Sequence, residues 1–281
     1  MNSPVPSLRL LIPAYNEEHR IEPVLRDYAS YFRARYAGRF EILVVLNGCR
    51  DHTADVVRRV AADFAEIRHL NFPDPIGKGG ALIEGLKSAR EFDLIGYVDA
   101  DGATGPEAFF ALVRLADQAD CVIGSRWLPG AVLHQAQTSR RQFASRMFHL
   151  IVQGLFWMNI HDTQCGAKVL HRPVVESIHS SLTIADMAFD INLLYVLKRH
   201  GYRILEVPTE WTDKIGSKVT LGKTSLTMLL SVIRLRLIYS PIYPWLGPFR
   251  PLERWLYVKL RAPLPRSGPA PDSTKPSDPP A

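Results

Sequence analysis

A chain of 281 residues, 47% of them hydrophobic, is long enough to bury one large core or two small ones and reads as globular. Its net charge of +6, with most of the excess Lys and Arg beyond Arg126, points to a polyanionic partner or to a basic surface kept for solubility. Three scattered cysteines, Cys49, Cys121 and Cys165, without paired spacing, indicate neither a disulfide framework nor a zinc site and fit a reducing compartment.

The opening "MNSPVPSLRLLIPAYNEE" has a short apolar run that ends in Asn and two Glu, so no signal peptide is expected there. No run approaches about 18 uninterrupted apolar residues, and a membrane-spanning helix is not expected. β-rich runs at 8–14, 40–46, 66–72, 93–99 and 120–125 alternate with segments 21–36, 53–64, 79–90 and 106–118, whose apolar residues recur every three or four positions. Strands that are apolar throughout and joined by helices predict an α/β fold with a mostly parallel central sheet covered on both faces. In such sheets ligands bind beyond the carboxyl ends of the strands. Further on, a helix is predicted over 139–159 with Phe143, Met147, Ile151 and Leu155 on one face. Another is predicted over 188–201, stopped by Gly201, followed by a strand over 202–211. Residues 262–281 are so rich in Pro, Ser and Asp that they predict a disordered tail.

The residues that carry chemistry fall at the predicted strand ends. In "GYVDADGATGPE", Asp99 and Asp101 flank Ala100 at the end of the fourth run. Side chains two apart in a strand share a face, so both carboxylates could meet one hard cation such as Mg²⁺ or Mn²⁺. The alternative is a turn whose Asp caps the helix starting near Pro106. The first run leads into "PAYNEE", placing Pro13, Ala14, Tyr15 and Glu17 at the same edge. Tyr15 could pack on a base and Glu17 accept from a ribose, or the segment is a polar turn leading a helix. After the second run, Asn47 and Gly48 form a turn and Asp51 could cap a helix. "DPIGKGGA" offers Lys78 and flexible glycines with free N–H groups at a helix start, which suit an anion without matching a P-loop or dinucleotide fingerprint.

These motifs, with "GSR" at 124–126, "DTQCGAK" at 162–168 and "GSK" at 216–218, occur in an order that resembles family 2 glycosyltransferases. The branch resembled is that of dolichyl-phosphate glucosyltransferase and dolichyl-phosphate mannose synthase, over roughly 8–220. The resemblance implies a GT-A type nucleotide-sugar-binding fold over 1–220. It implies that Pro13, Ala14, Tyr15, Glu17, Asn47, Asp51, Lys78, Gly79, Asp99 and Ala100 surround the nucleotide, and that Asp99 and Asp101 hold Mg²⁺ or Mn²⁺ under the diphosphate. Arg126 and Arg140, with Arg141 as competitor for the second place, would grip an acceptor phosphate, and Lys218 would belong to a segment closing on the diphosphate. Two places depart from the pattern: Leu46 and Asn47 stand where many relatives have an Asp pair, and in "FDIN" Asn192 stands where relatives often have Glu, which leaves Asp190 as the only carboxylate where a base could act.

The implied reaction is inverting transfer of a hexose, glucose from UDP-glucose foremost, to a polyprenyl or dolichyl phosphate. Such an acceptor carries about −1.5 to −2 near neutrality and needs arginines rather than a general base. The alternatives are the same donor chemistry on a soluble acceptor and a non-catalytic nucleotide-binding protein. A nucleic-acid partner is not expected, because no recognition-helix, zinc or RNP pattern accompanies the charge. Residues 221–261 mix Leu and Ile with Tyr239, Tyr243, Trp245, Trp255, Arg234, Arg236, Arg250, Arg254 and Lys259. They predict two short interfacial pieces broken at Pro241 and Pro244, or a segment packed on the domain. With the reducing compartment, the expected location is cytoplasmic, peripheral on the inner face of a membrane.

Overall fold

The computed structural model describes residues 5–134, 139–212, 221–241 and 243, without the side chains of 139–144 and 221–226. Strand β1 (Leu8–Ala14) enters first and is followed by α1 (Ile21–Arg35), β2 (Phe40–Asn47), α2 (Thr53–Asp63), β3 (Ile67–Phe72), α3 (Lys78–Ser88) and β4 (Leu94–Tyr97). Then come α4 (Pro106–Arg114), β5 (Cys121–Ser125), β6 (Val132–Leu133), α5 (Ser139–Phe156), β7 (Lys168–His171) and α6 (Arg172–Ile178). The described chain closes with α7 (Phe189–Arg199), β8 (Ile204–Pro208), β9 (Glu210–Trp211) and α8 (Leu221–Ile238).

Seven strands form one sheet in the order β3-β2-β1-β4-β7-β5-β8, while β6 and β9 pair separately. Only β7 runs against its neighbours, β4 and β5, within that sheet. The strands are apolar at successive positions because both faces are covered. Leu10, Ile12, Val44 and Leu46 pack with Leu25 and Phe32 of α1, Val57 of α2 and Phe109 of α4. Alternate residues Leu11, Leu43 and Val45 pack on the other face with Leu82 of α3, Val152 and Phe156 of α5, Leu194 of α7, and Val232 and Leu235 of α8.

Three expectations change on contact with the structure. First, β7 is a strand that no apolar run announces: its first residue, Lys168, closes "DTQCGAK", and only Val169 and Leu170 of its four residues are apolar. Second, α5 turns a different face inward. Val152 and Phe156 are buried and Phe148 and Leu155 pack beside them, whereas Met147 is 42% and Leu150 61% exposed. Third, of the two readings of the aromatic and basic segment, its start follows the packed one and not the interfacial one: it is one helix against the domain. Ser231, Val232 and Leu235 of α8 are fully buried, and the helix ends before Pro241. Trp245, Arg250, Arg254, Trp255, Lys259 and the tail 262–281 lie outside the described residues.

Candidate active site

The carboxyl ends of β1, β2 and β4 meet where the sequence places its motifs, because parallel strands joined by helices all point their ends one way. Here β4 stops at Tyr97, so Asp99 and Asp101 stand in the following turn and not two apart along a strand as expected. The turn is held from outside. Tyr28 donates its hydroxyl to Thr104 O at 2.8 Å, and Thr212 N–H donates to Ala103 O at 2.9 Å. Asp101 Oδ1 accepts from Ala103 N–H at 3.0 Å, and Ala100 between the two acids is buried. Asp99 fits only because Gly166 lies against it: a Cβ on that glycine would sit 2.1 Å from Asp99 Oδ2.

Beneath the turn lies a charge network of which the sequence shows only parts. Lys78, first residue of α3, places Nζ 2.6 Å from Asp99 Oδ1 and 3.5 Å from Asp190 Oδ2. Asp190 Oδ1 accepts from Lys168 Nζ at 2.6 Å and from Tyr97 Oη at 2.6 Å. Lys168, with no exposed surface, also donates to Cys165 O at 2.5 Å. Tyr97 and Lys168 are register partners on β4 and β7, so the reversed strand brings their heads to one carboxylate. Burial would push Asp190 up, but Lys168, Lys78 and the Tyr97 hydroxyl hold it down to about 2. Held this way it is a poor proton acceptor, and its place is that of a buried anchor rather than the base that "FDIN" offered. Neither Lys168 nor Tyr97 is marked for this role by a motif or a period in the sequence; only their pairing across β4 and β7 brings them to Asp190.

Asp99, with 39% of its side chain exposed, is raised above the ordinary carboxylate range. Burial acts first, Lys78 pulls the other way, and Asp101 and Asp190 add to the rise. Asp99, Asp101 and Asp190 thus face Lys78 and Lys168, three carboxylates against two ammoniums. Among the described residues no group of three or more His, Cys, Asp or Glu could hold a metal. The two carboxylates of the turn match what Mg²⁺ or Mn²⁺ takes from protein when phosphates and water complete its shell. The residues and the excess negative charge therefore fit such an ion, which Asp99 and Asp101 would hold.

The other expected nucleotide-side residues lie on the loops around this centre, and several are bonded to neighbours in those loops. Pro13 and Ala14 end β1. Tyr15 is half-buried, and burial raises its hydroxyl above the ordinary value. Glu17 accepts from Arg20 Nε and Nη2, each at 2.7 Å. Asp51 Oδ1 accepts from the N–H and the hydroxyl of Thr53 at the start of α2, the helix-capping alternative. Asn47 Oδ1 accepts from Ile76 N–H at 2.7 Å, so this carbonyl fixes the loop before Lys78. The expected free N–H groups at the start of α3 are corrected in part: Gly80 N–H donates to Ala185 O at 3.1 Å. Gly79 is there for close approach, since a Cβ would come within 2.4 Å of Ile184 O.

On the far side of the turn, at the end of β5, Arg126 forms a fork with Asp162. Its Nε and Nη2 donate at 2.7 and 2.9 Å, and its backbone N–H donates to the same carboxylate at 3.0 Å. Burial would raise Asp162, but Arg126 outweighs it and keeps the carboxyl below its usual range. The guanidinium also lies 5.2 Å from the Trp211 ring centroid. Asp162 is held in turn by Glu206, whose Oε1 accepts its N–H at 3.0 Å. Arg126 thus carries a fixed orientation, with donors beyond the two that Asp162 takes. Arg140 and Arg141 begin α5, but their side chains, like all of Lys218, lie outside the description.

This architecture, with one reversed strand inside a parallel sheet and its acids at the strand ends, is that of the GT-A glycosyltransferases. The family model described as Glycosyl transferase family 2 matches residues 10–178, and the chain belongs to that family. It is 31% identical over 228 residues to Glycosyltransferase AglD of Haloferax volcanii, covering 80% of this chain and 36% of that protein. The chain thus spans about a third of AglD's length. It is 33% identical over 236 residues to the dolichyl-phosphate beta-glucosyltransferase of Drosophila melanogaster, covering 78% and 71%. Among solved structures, it resembles glucosyl-3-phosphoglycerate synthase from Mycobacterium tuberculosis in complex with Mn²⁺, uridine diphosphate and glucosyl-3-phosphoglycerate. The TM-score is 0.59 at 19% identity, covering 82% of this chain and 80% of that one, a likeness of fold.

Two outcomes follow from the buried network. Lys168→Met leaves Asp190 with one fewer counter-charge in a site closed to water, and should lower stability by about 3 to 5 kcal/mol in urea unfolding. Asp190 has a folded pKa near 2 against 3.8 unperturbed, so its stabilisation is complete above the unfolded value. It is lost as pH falls from about 4 through 2. Urea midpoints measured across that window should fall more steeply in the wild type than in Asp190→Asn.

Proposed function

We propose that the chain transfers a hexose, glucose from UDP-glucose foremost, to dolichyl or another polyprenyl phosphate with inversion at the anomeric carbon. The observation that carries this reading is the state of Asp190. The carboxylate available as a base is sealed between Lys168, Tyr97 and Lys78. A hydroxyl acceptor needs a base, whereas a phosphate monoester arrives largely ionised. Its requirement is cationic donors, and Arg126, held by Asp162, presents them. The likeness to dolichyl-phosphate beta-glucosyltransferases supports the choice of acceptor and sugar.

In this account Tyr15 and the 47–53 turn border the base and ribose. Lys78 turns its ammonium between Asp99 and the diphosphate. Asp99 and Asp101 would hold a Mg²⁺ or Mn²⁺ ion, which when bound neutralises charge on the departing diphosphate. Arg126 orients the acceptor phosphate, whose oxygen attacks the anomeric carbon as the bond to the diphosphate breaks. Arg140, Arg141 and Lys218 are assigned to the phosphate groups by resemblance alone. The domain limits, 1–220 for catalysis and 221–261 for the membrane side, remain part of the proposal.

A lipid acceptor implies work at a membrane surface, and we place the enzyme on the cytoplasmic face. No helix among the described residues is long and apolar enough to cross a bilayer. The support is a set of exposed apolar side chains: Met147 and Leu150 of α5, Trp157 just past it at 81% exposed, and Ile233 of α8 at 42%. Aromatic and apolar groups of this kind favour the headgroup boundary when basic residues accompany them.

Asp101→Asn should lower transfer on the order of a hundredfold with the fold intact, because an Asn oxygen can still accept from Ala103 N–H. Full activity in the variant, or in excess chelator, would contradict the metal reading. Arg126→Lys keeps a positive charge beside Asp162 and removes the fork. It should raise the acceptor KM roughly tenfold to a hundredfold and leave the donor KM unchanged, measured with dolichyl phosphate and with 3-phosphoglycerate as the soluble comparison. Flotation with anionic liposomes at low salt should carry the intact protein upward and release the Leu150→Ser/Trp157→Ser variant. Intact protein left in the soluble fraction would favour the soluble acceptor.

A further inference from the structure

Between α6 and α7 runs a strap, residues 179–188, that touches α8 on one side and the start of α3 on the other. On the α8 side, Ser231 Oγ donates to Asp186 Oδ2 at 2.6 Å. Tyr239, just past the end of α8, donates its hydroxyl to Ser181 O at 2.9 Å and accepts from Asn192 Nδ2 at 3.4 Å. Asn192 is fully buried in α7, and its carbonyl accepts from the N–H groups of both Thr183 and Ile184, at 3.0 and 3.1 Å. On the α3 side, the strap supplies Ala185 O to Gly80 N–H and sets Ile184 O so close to Gly79 that no side chain fits between them. The residue before Gly79 is Lys78, and the strap runs directly into Phe189 and Asp190.

We propose that Tyr239, Ser231 and Asn192 are positioning residues for Lys78. They hold the strap, and the strap fixes the backbone of the first turn of α3 from which Lys78 reaches Asp99. A lysine on a four-carbon stem has little orientation of its own, so where its ammonium rests depends on where that turn is fixed. The strap also leads into the helix that carries Asp190, so a single segment sets both ends of the 3.5 Å contact between Lys78 and Asp190. The departure at position 192 has its explanation here: a carboxylate could accept the two strap N–H groups but could not donate to Tyr239. The inference rests on Lys78 facing the donor diphosphate. It adds that the seating of α8 and the binding of the nucleotide are linked and, by reciprocity, that each favours the other.

The test uses the full chain with Tyr239→Phe and Ser231→Ala, each removing one hydroxyl from a packed position. Hydrogen exchange without ligand should quicken at the amides of Thr183, Ile184 and Gly80 by about fivefold, roughly one hydrogen bond's net contribution. The amides of Leu11 and Val44 in β1 and β2 should keep their wild-type rates. In parallel, binding of uridine diphosphate with Mn²⁺ should weaken by about the same factor, and the donor KM should rise while the acceptor KM holds. A merely structural role would lower the unfolding midpoint and leave both KM values of the folded fraction unchanged. Unchanged exchange at Gly80 overturns the coupling, as does a donor KM that does not move apart from the acceptor KM. Because the exchange measurement needs no ligand, a wild type that fails to bind the nucleotide would sink the donor reading, and the amides would still decide the link from α8 to α3.

Discussion

The site depends on an ammonium closed off from water. Lys168 enters the sheet on the one reversed strand, meets Asp190 at 2.6 Å, and leaves that carboxylate ionised under the floor of the cleft. An ion pair this deep gains little net stability over an apolar pair of the same shape, but removing one partner is destabilising. Its consequence is positional. With Asp190 balanced by Lys168 and Tyr97, Lys78 is left to serve mainly Asp99, its nearer partner at 2.6 Å. The acids of the turn then retain an excess of negative charge, and that excess is what a divalent ion with a diphosphate would answer.

The same constraint explains the difference between the two sides of the cleft. The side proposed for the donor is anionic and built on short loops that bond to one another: Ile76 N–H to Asn47, Glu18 N–H to Asp51, Arg50 N–H to Asn16. The other side is a single guanidinium locked to Asp162 and backed by Trp211. A cation held that firmly loses little conformational freedom when it meets a phosphate, and preorganisation of this kind favours binding. On the proposed reading, two substrates of like charge would thus meet opposite solutions, a cation held by the carboxylates of the turn on one side and a fixed fork on the other.

Much of this could be read in the sequence, and the exceptions share a physical cause. Strands β1, β2 and β5 are legible because both their faces are buried and the runs are apolar throughout; Asp99, Asp101 and Arg126 stand out because they follow such runs, and Lys78 because glycines flank it at a helix start. Strand β7 is not legible, since four residues led by a lysine give no period. The buried face of α5 was misread because Met147 looks apolar wherever it points, and only tertiary contact with Val152 and Phe156 selects the face. Asn192 looked like a missing carboxylate. Its meaning appears only with the strap N–H groups and Tyr239, which come from three separate parts of the chain.

The most direct measurement is anomalous diffraction from crystals grown with Mn²⁺ and uridine diphosphate. A manganese peak is expected between Asp99 and Asp101, with Lys78 Nζ moved from Asp99 toward the diphosphate and the contact between Lys168 and Asp190 unchanged. A nucleotide bound with no metal at these two carboxylates, or a metal ligated by Asp190 with Lys168 displaced, would contradict this reading of the site.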